Sequence, residues 1–145
     1  MILQAQNKTA EAAQQYEKVM QAEPRAAVAA NNLAWLYADS GQKLDQALQF
    51  AQAAKAELPD VAAVSDTLAF VYLKRRQPDL AIPLAREALA KEPDNPTYHF
   101  RLGQAYADSG KTEDARREMA AALKLNPQFP GADEARRVMS AAKVD

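Results

Sequence analysis

The sequence predicts an all-α repeat array, and three observations carry that prediction. Pro24, Pro59, Pro93 and Pro127 recur at intervals of 35, 34 and 34 residues, each twelve residues after an alanine (Ala12, Ala47, Ala81 and Ala115). Two further positions keep the same interval: Leu33, Leu68 and Leu102, then Tyr37, Tyr72 and Tyr106. Within one unit, Leu102, Gly103 and Tyr106 stand at i, i+1 and i+4, a single stripe on a helix of about 3.6 residues per turn. Self-similarity at a fixed period marks a repeat architecture, in which each residue is first a packing element of its unit.

Aligned on these anchors, the chain divides into a partial unit (1–26), three full units (27–61, 62–95 and 96–129) and a closing helix (130–145). The partial unit is expected to hold a truncated first helix followed by a second helix. In the full units, small residues at two recurrent places, Ala34, Ala69 and Gly103, then Ala47, Ala81 and Ala115, let two helices approach closely. Gly41 and Gly110 suit the left-handed position that ends a first helix. Thr112 makes half a capping box, and Asp79, Glu113 and Asp114 put negative charge in the first turn of a second helix, where the dipole favours it. Each anchor proline biases its preceding residue away from helix and so closes a second helix. Unit 27–61 carries one extra residue in the turn around Gly41–Asp45. Arg76 replaces the turn glycine, which predicts a somewhat different turn there, and Pro83 falls near a helix start, where a missing N–H is tolerable. After Pro130, GADEARRVMSAAK reads as a final helix with Ala135, Val138, Met139 and Ala142 inward and a charged outer face that caps the array toward solvent.

The stretches NNLAWLYADSGQ, DTLAFVYLKRRQ and YHFRLGQAYADSGK, each followed by a segment like TEDARREMAAALKLNP, resemble the tetratricopeptide repeat. Unit 96–129 shows Leu102, Gly103, Tyr106, Gly110, Ala115, Ala122 and Pro127 at that family's positions, with Met119 where an aromatic is usual. The partial unit supplies Ala12, Tyr16, Val19 and Pro24. The resemblance covers nearly the whole chain. It implies helix–turn–helix units in a right-handed α-solenoid of antiparallel pairs with a C-terminal capping helix, and first helices that line a concave, partner-binding groove. Carried over position by position, the groove residues are Asn31, Trp35 and Asp39 in the first full unit, Asp66, Phe70 and Lys74 in the second, and Phe100, Gln104 and Asp108 in the third.

Trp35 and Phe70 are the sharpest of these, since neither belongs to the repeat's packing set and both are large aromatics at one groove position. Either they pack between neighbouring first helices, or with Phe100 they form an aromatic floor for a peptide. A rim of Asp39, Asp66 and Asp108 against Lys74 favours a ligand of mildly basic character. The family's clamp for a C-terminal carboxylate needs more than Asn31, and Asp66 and Phe100 at the matching positions argue against it and against a co-chaperone role. More narrowly, NNLAWLYADSG, LPDVAAVSDTLAFVYLKRRQ and PDNPTYHFRLGQAYADSGK resemble the closing repeats of bacterial envelope lipoproteins linked to exopolysaccharide export and exosortase (PEP-CTERM-type) sorting. That resemblance implies a periplasmic scaffold with its lipid anchor outside this chain; the cytoplasm is the other compartment.

The rest of the composition mainly excludes. Eighteen basic and nineteen acidic residues leave a formal net charge of −1 and no electrostatic case for nucleic acid. There is no cysteine, hence no disulfide, zinc cluster or thiol chemistry. No apolar run approaches the roughly 18 residues of a membrane span, and the start lacks the basic and hydrophobic regions of a signal peptide. The single histidine, His99, occupies a bulky packing position, and Ser40, Ser65 and Ser109 read as turn or cap residues. The four glycines are scattered and form no phosphate loop. No catalytic residue, metal or cofactor is therefore expected, and the expected function is a non-enzymatic interaction module. Two rivals are a self-assembling scaffold stacking through exposed Ile2, Leu3, Tyr16 and Val19, and an enzyme built around His99. Leu3 falls near the end of a first helix, which suggests a piece excised from a longer protein with Met1 as an added start.

Overall fold

The computed structural model describes residues 2–142. Those residues form eight helices and no strand: α1 (Ile2–Ala22), α2 (Ala27–Ser40), α3 (Leu44–Glu57), α4 (Ala62–Lys74), α5 (Pro78–Lys91), α6 (Pro96–Asp108), α7 (Thr112–Leu125) and α8 (Ala132–Ala142). The hairpins α2–α3, α4–α5 and α6–α7 are the three full units, and α8 packs on α7. First helices also touch their neighbours, α2 on α4 and α4 on α6, so they form a continuous inner layer that carries the site.

The punctuation follows from the sequence. Each anchor proline is the second residue of a four-residue turn, the position its fixed φ suits. The turns close through Ala26 N–H to Glu23 O (3.0 Å), Val61 to Leu58 (3.4 Å), Asn95 to Glu92 (3.1 Å) and Phe129 to Asn126 (3.2 Å). Between the helices of a hairpin, Gly41 (φ 73°) and Gly110 (φ 80°) take the left-handed region, and Arg76 (φ 64°) does so too. The turn at Arg76 thus keeps the left-handed backbone of its glycine counterparts. The extra residue of unit 27–61 is absorbed by a second left-handed residue, Lys43 (φ 55°), just before α3.

Three expectations need correction. Residues 2–22 form one continuous helix in place of a first-helix remnant and a second helix. Asn7 stands where the hairpin glycine would be, and the surrounding Gln, Ala, Lys and Glu are strong helix formers with no Gly or Pro to stop them. Pro83 lies at the sixth residue of α5, beyond its first turn. Both Pro83 and Asp79, whose carbonyl loses its helical donor, are exposed, so water can serve that carbonyl. Thr112 is the first residue of α7 and makes no capping hydrogen bond.

The core is shared between units. Leu68, Phe70 and Val71 of the second unit bury with Leu33, Ala34, Tyr37, Ala47 and Ala51 of the first. Leu102, Ala105 and Tyr106 of the third bury with Ala69, Leu73, Ala81 and Ala85 of the second. A polar ladder repeats with the same register. Each unit's tyrosine hydroxyl meets a residue twenty positions earlier, on the preceding second helix: Tyr37 donates to Glu17, Gln52 Nε2 donates to Tyr72 (3.3 Å), and Arg86 Nη2 donates to Tyr106 (2.7 Å).

Ala81 is fully buried at the crossing of α4 and α5. Ala81→Leu is expected to overpack it and cost about 1–3 kcal/mol in urea unfolding; unchanged stability would mean that the repeat register is displaced.

Candidate functional site

Because Trp35, Phe70 and Gln104 occupy one unit position on three adjacent first helices, the solenoid sets them side by side. They line a concave cleft of about 870 Å³ bounded by α2, α4, α6 and α8. The Trp35 and Phe70 rings stack with centroids 4.2 Å apart and planes at 28°. Arg101 of α6 reaches across them, its guanidinium carbon 4.6 Å from the Phe70 centroid and 5.3 Å from that of Trp35. Lys74 adds a second cation 5.4 Å from the Phe70 ring. Cations over aromatic faces are attracted by the ring quadrupole, most strongly where water is excluded.

Below the rings runs a polar chain linking three helices. Arg101 Nε donates to Asp66 Oδ1 (2.9 Å) and Nη1 donates to Gln104 Oε1 (2.7 Å), while Gln104 Nε2 donates to Glu134 Oε1 of α8 (3.2 Å). The Arg101 and Asp66 side chains are only 5% and 9% exposed. Burial pushes the Asp66 carboxyl up from its ordinary range, and the Arg101 charge and hydrogen bond oppose that push. At the rim, partial desolvation pushes Asp108 up, Arg76 pulls it down, and Glu134 adds a further upward push.

Of the residues expected in the groove, Trp35, Asp39, Phe70, Lys74, Phe100, Gln104 and Asp108 line the cleft. Asp66 does not stand on the rim; it is buried beneath Arg101, which supplies the charge that lets a carboxylate sit there. Asn31 lies outside the lining, and its Oδ1 is buried without a hydrogen-bond partner among the described residues. Phe100 does not continue the Trp35–Phe70 stack. It is buried in a C-terminal cluster with Met119, Ala122, Ala132 and Ala135, edge-on to Phe129 at 5.4 Å. The cause is α8, which closes down at Gly131, where a Cβ would come within 2.7 Å of the Phe100 ring.

Helix α8 also departs from its expected role. Ala135 is buried and Val138 and Met139 pack inward as expected, whereas the side chain of Ala142 lies outside the described residues. Its polar face, however, forms a wall of the cleft through Asp133, Glu134 and Arg137. With Arg76 and Arg137 joining Lys74 opposite Asp39, Asp108, Asp133 and Glu134, the rim is near charge balance. The excess of negative charge behind the expected mild preference for a basic ligand is reduced accordingly to one carboxylate. Arg101 is the principal residue that reasoning from the sequence missed. The available signal was the pair of opposite charges at neighbouring unit positions, Asp66 and Arg101, on adjacent first helices.

The other polar residues brace the fold. His99 Nε2 donates to the Pro93 carbonyl (2.7 Å), and Nδ1 lies 2.7 Å from Glu118 Oε2, tying α6 to α7 and to the preceding turn. Ser65 does not open α4; it is buried in the first turns beside Lys55 (2.9 Å) and near Glu87. Ser40 Oγ donates to Tyr37 O and accepts from Gln42 N–H, as a turn residue does. Ser109 Oγ donates to Asp79. Among the described residues, no group of three His, Cys, Asp or Glu could hold a metal, and no helix is long and apolar enough to cross a membrane.

Antiparallel helix pairs stacked at a constant interval, with first helices lining a concave face, define a helical-repeat solenoid. A sequence profile of the tetratricopeptide repeat matches residues 1–62 and 67–133, and the chain belongs to that family. No curated protein sequence matches it. Among solved structures it is similar to MamA of AMB-1 (TM-score 0.78, 24% identity, covering 97% of this chain and 80% of the other). It is also similar to YrrB, described as a TPR protein with an unusual peptide-binding site (0.73, 21%, 99% and 72%). A third is the first TPR domain of human RPAP3 (0.72, 22%, 83% and 94%). At these identities the likeness is one of fold.

Replacing His99 by Ala is expected to lower stability by about 1–2 kcal/mol through two lost hydrogen bonds, with helicity retained in circular dichroism. Loss of a measurable catalytic activity in a folded His99→Ala protein would contradict the structural role.

Proposed function

We propose that this chain is a non-enzymatic protein–protein interaction module that takes a peptide or a partner helix in its concave cleft. The observation that carries the reading is the half-buried Trp35, stacked on Phe70 and flanked by a cation, in a recess with a polar rim. Aromatic anchors in water-excluding recesses supply most of the energy at protein interfaces. Trp35 and Phe70 act as anchors, Asp39, Lys74, Gln104 and Asp108 give polar selectivity, and Phe100 and Asp66 support the wall and floor. YrrB, a neighbour in fold, is described as having an unusual peptide-binding site, which supports peptide binding by a solenoid of this kind. No cofactor is required. The resemblance of the runs NNLAWLYADSG and PDNPTYHFRLGQAYADSGK to exopolysaccharide-linked envelope lipoproteins makes a bacterial envelope assembly the setting in which to seek the partner. Self-assembly through the first helix has less behind it: Tyr16 packs into the core under α2, Val19 is exposed, and the side chains of Ile2 and Leu3 lie outside the described residues.

Capture of a partner from extract of cells that make the protein should be lost or reduced severalfold in Trp35→Ala, alone and combined with Phe70→Leu, while helicity and monomeric mass are unchanged. Equal capture by folded variants and wild type would move the binding surface away from the cleft.

A further inference from the structure

Arg101 divides its donors unequally. Nε serves Asp66 and Nη1 serves Gln104, while Nη2 makes no hydrogen bond among the described residues. The residue is 4% exposed, yet it lines the cleft. A guanidinium carries five N–H donors; Nη2 is not among the fully buried side-chain atoms left without a partner, so it stays open to the cleft, where water serves it until an acceptor on a ligand takes that place. What may enter is restricted by charge. Asp66 already balances the guanidinium within a buried pair, and at the rim the four carboxylates Asp39, Asp108, Asp133 and Glu134 outnumber the three cations Lys74, Arg76 and Arg137 by one.

We propose that Nη2 of Arg101 reads an uncharged carbonyl oxygen of the ligand, from the main chain or an Asn or Gln amide. The cleft therefore selects an interior peptide segment over a free C-terminus. This rests on the cleft being the ligand site. A carboxylate at Nη2 would be a second anion on one guanidinium in a desolvated floor, where the uncompensated charge is penalised far more than in water. A carbonyl accepts the same hydrogen bond and leaves the floor neutral. The side chain beside that carbonyl then meets the exposed part of the Trp35–Phe70 stack, so apolar contact and main-chain reading come from neighbouring groups. Of the three rim cations, Arg76 faces Asp108 and Lys74 lies over Phe70, while Arg137 stands at the outer edge on α8 with no ion pair among the described residues.

Trp35 is the only tryptophan, so its indole N–H resonance reports the cleft without ambiguity. Two matched probes, N-acetyl-phenylalaninamide and N-acetyl-phenylalanine, are titrated at pH 7 into wild type and Asp66→Asn, each checked for unchanged helicity. Wild type is expected to bind the amide about tenfold or more tightly than the acid, as like-charge exclusion predicts. Asp66→Asn keeps an acceptor for Nε but uncovers the Arg101 charge, so the acid should gain about tenfold relative to the amide. Equal or tighter binding of the acid by wild type, or an unchanged ratio in Asp66→Asn, would overturn the assignment to Arg101. If both probes bind equally and both are lost in Phe70→Leu, which keeps the indole reporter, the cleft stands as the ligand site and only the reading by Arg101 fails. If neither probe perturbs the indole, the assignment fails as well, and the partner-capture contrast alone judges the cleft.

Discussion

No helix pair in this chain can bury its own apolar stripe, and the rest of the structure depends on that shortfall. The second unit's Leu68 and Val71 find their burial among Leu33, Ala34 and Ala47 of the first, and the third unit's Leu102 finds its own among Ala69 and Ala81 of the second. Stability in such an array comes mainly from interfaces between neighbours. The constant interval of the anchors is the consequence, because each interface must present the same small residues at the same height. The tyrosine hydroxyls repeat along the same interfaces, each tied to the preceding second helix, so the polar bonds and the apolar contacts share one register.

Stacking at constant register also creates the site. Equivalent positions on α2, α4 and α6 become neighbours, which turns the isolated aromatics Trp35 and Phe70 into a stacked pair and brings Asp66 beneath Arg101. A buried ion pair of this kind contributes little net stability against apolar residues of equal size. Its effect here is geometric: the guanidinium is held beside two rings, and the chain from Asp66 through Arg101 and Gln104 to Glu134 couples the floor to the α8 wall. Arg101 thereby joins the second unit to the third and both to the terminal helix. The cleft has a fixed floor and one wall that belongs to no repeat.

The fold was largely legible in the sequence because its determinants are local and recur. Anchor prolines end second helices through turns they are shaped for, Gly41 and Gly110 supply left-handed residues, and alanines mark close crossings. The site was legible in part. Positions taken from an averaged repeat located Trp35, Phe70, Gln104 and the rim aspartates, since those face the same way in every unit. They misplaced Asn31 and Asp66, which lie outside the lining, and did not foresee the company of Phe100; the surroundings of Asp66 and Phe100 come from beyond their own units. Asp66 is drawn into the floor by a partner on the next unit, and Phe100 is covered by Phe129 and α8, where only a glycine at 131 allows the approach. The continuous α1 has a similar cause. At the first unit Asn7 gives no break comparable to glycine, so local helix propensity prevails over the repeat pattern.

The central claim is that the concave face is where a partner sits. A photo-crosslinking residue placed at Asp39 or at Gln104, in separate proteins, tests it most directly, with Arg117 on the outer helix α7 as the comparison site because its side chain is 76% exposed and lies outside the cleft. Irradiated in the cells that make the protein, the two cleft positions should yield the same adduct and position 117 should yield none. An adduct at position 117 with none at 39 or 104 would contradict the account and assign the partner to the convex face.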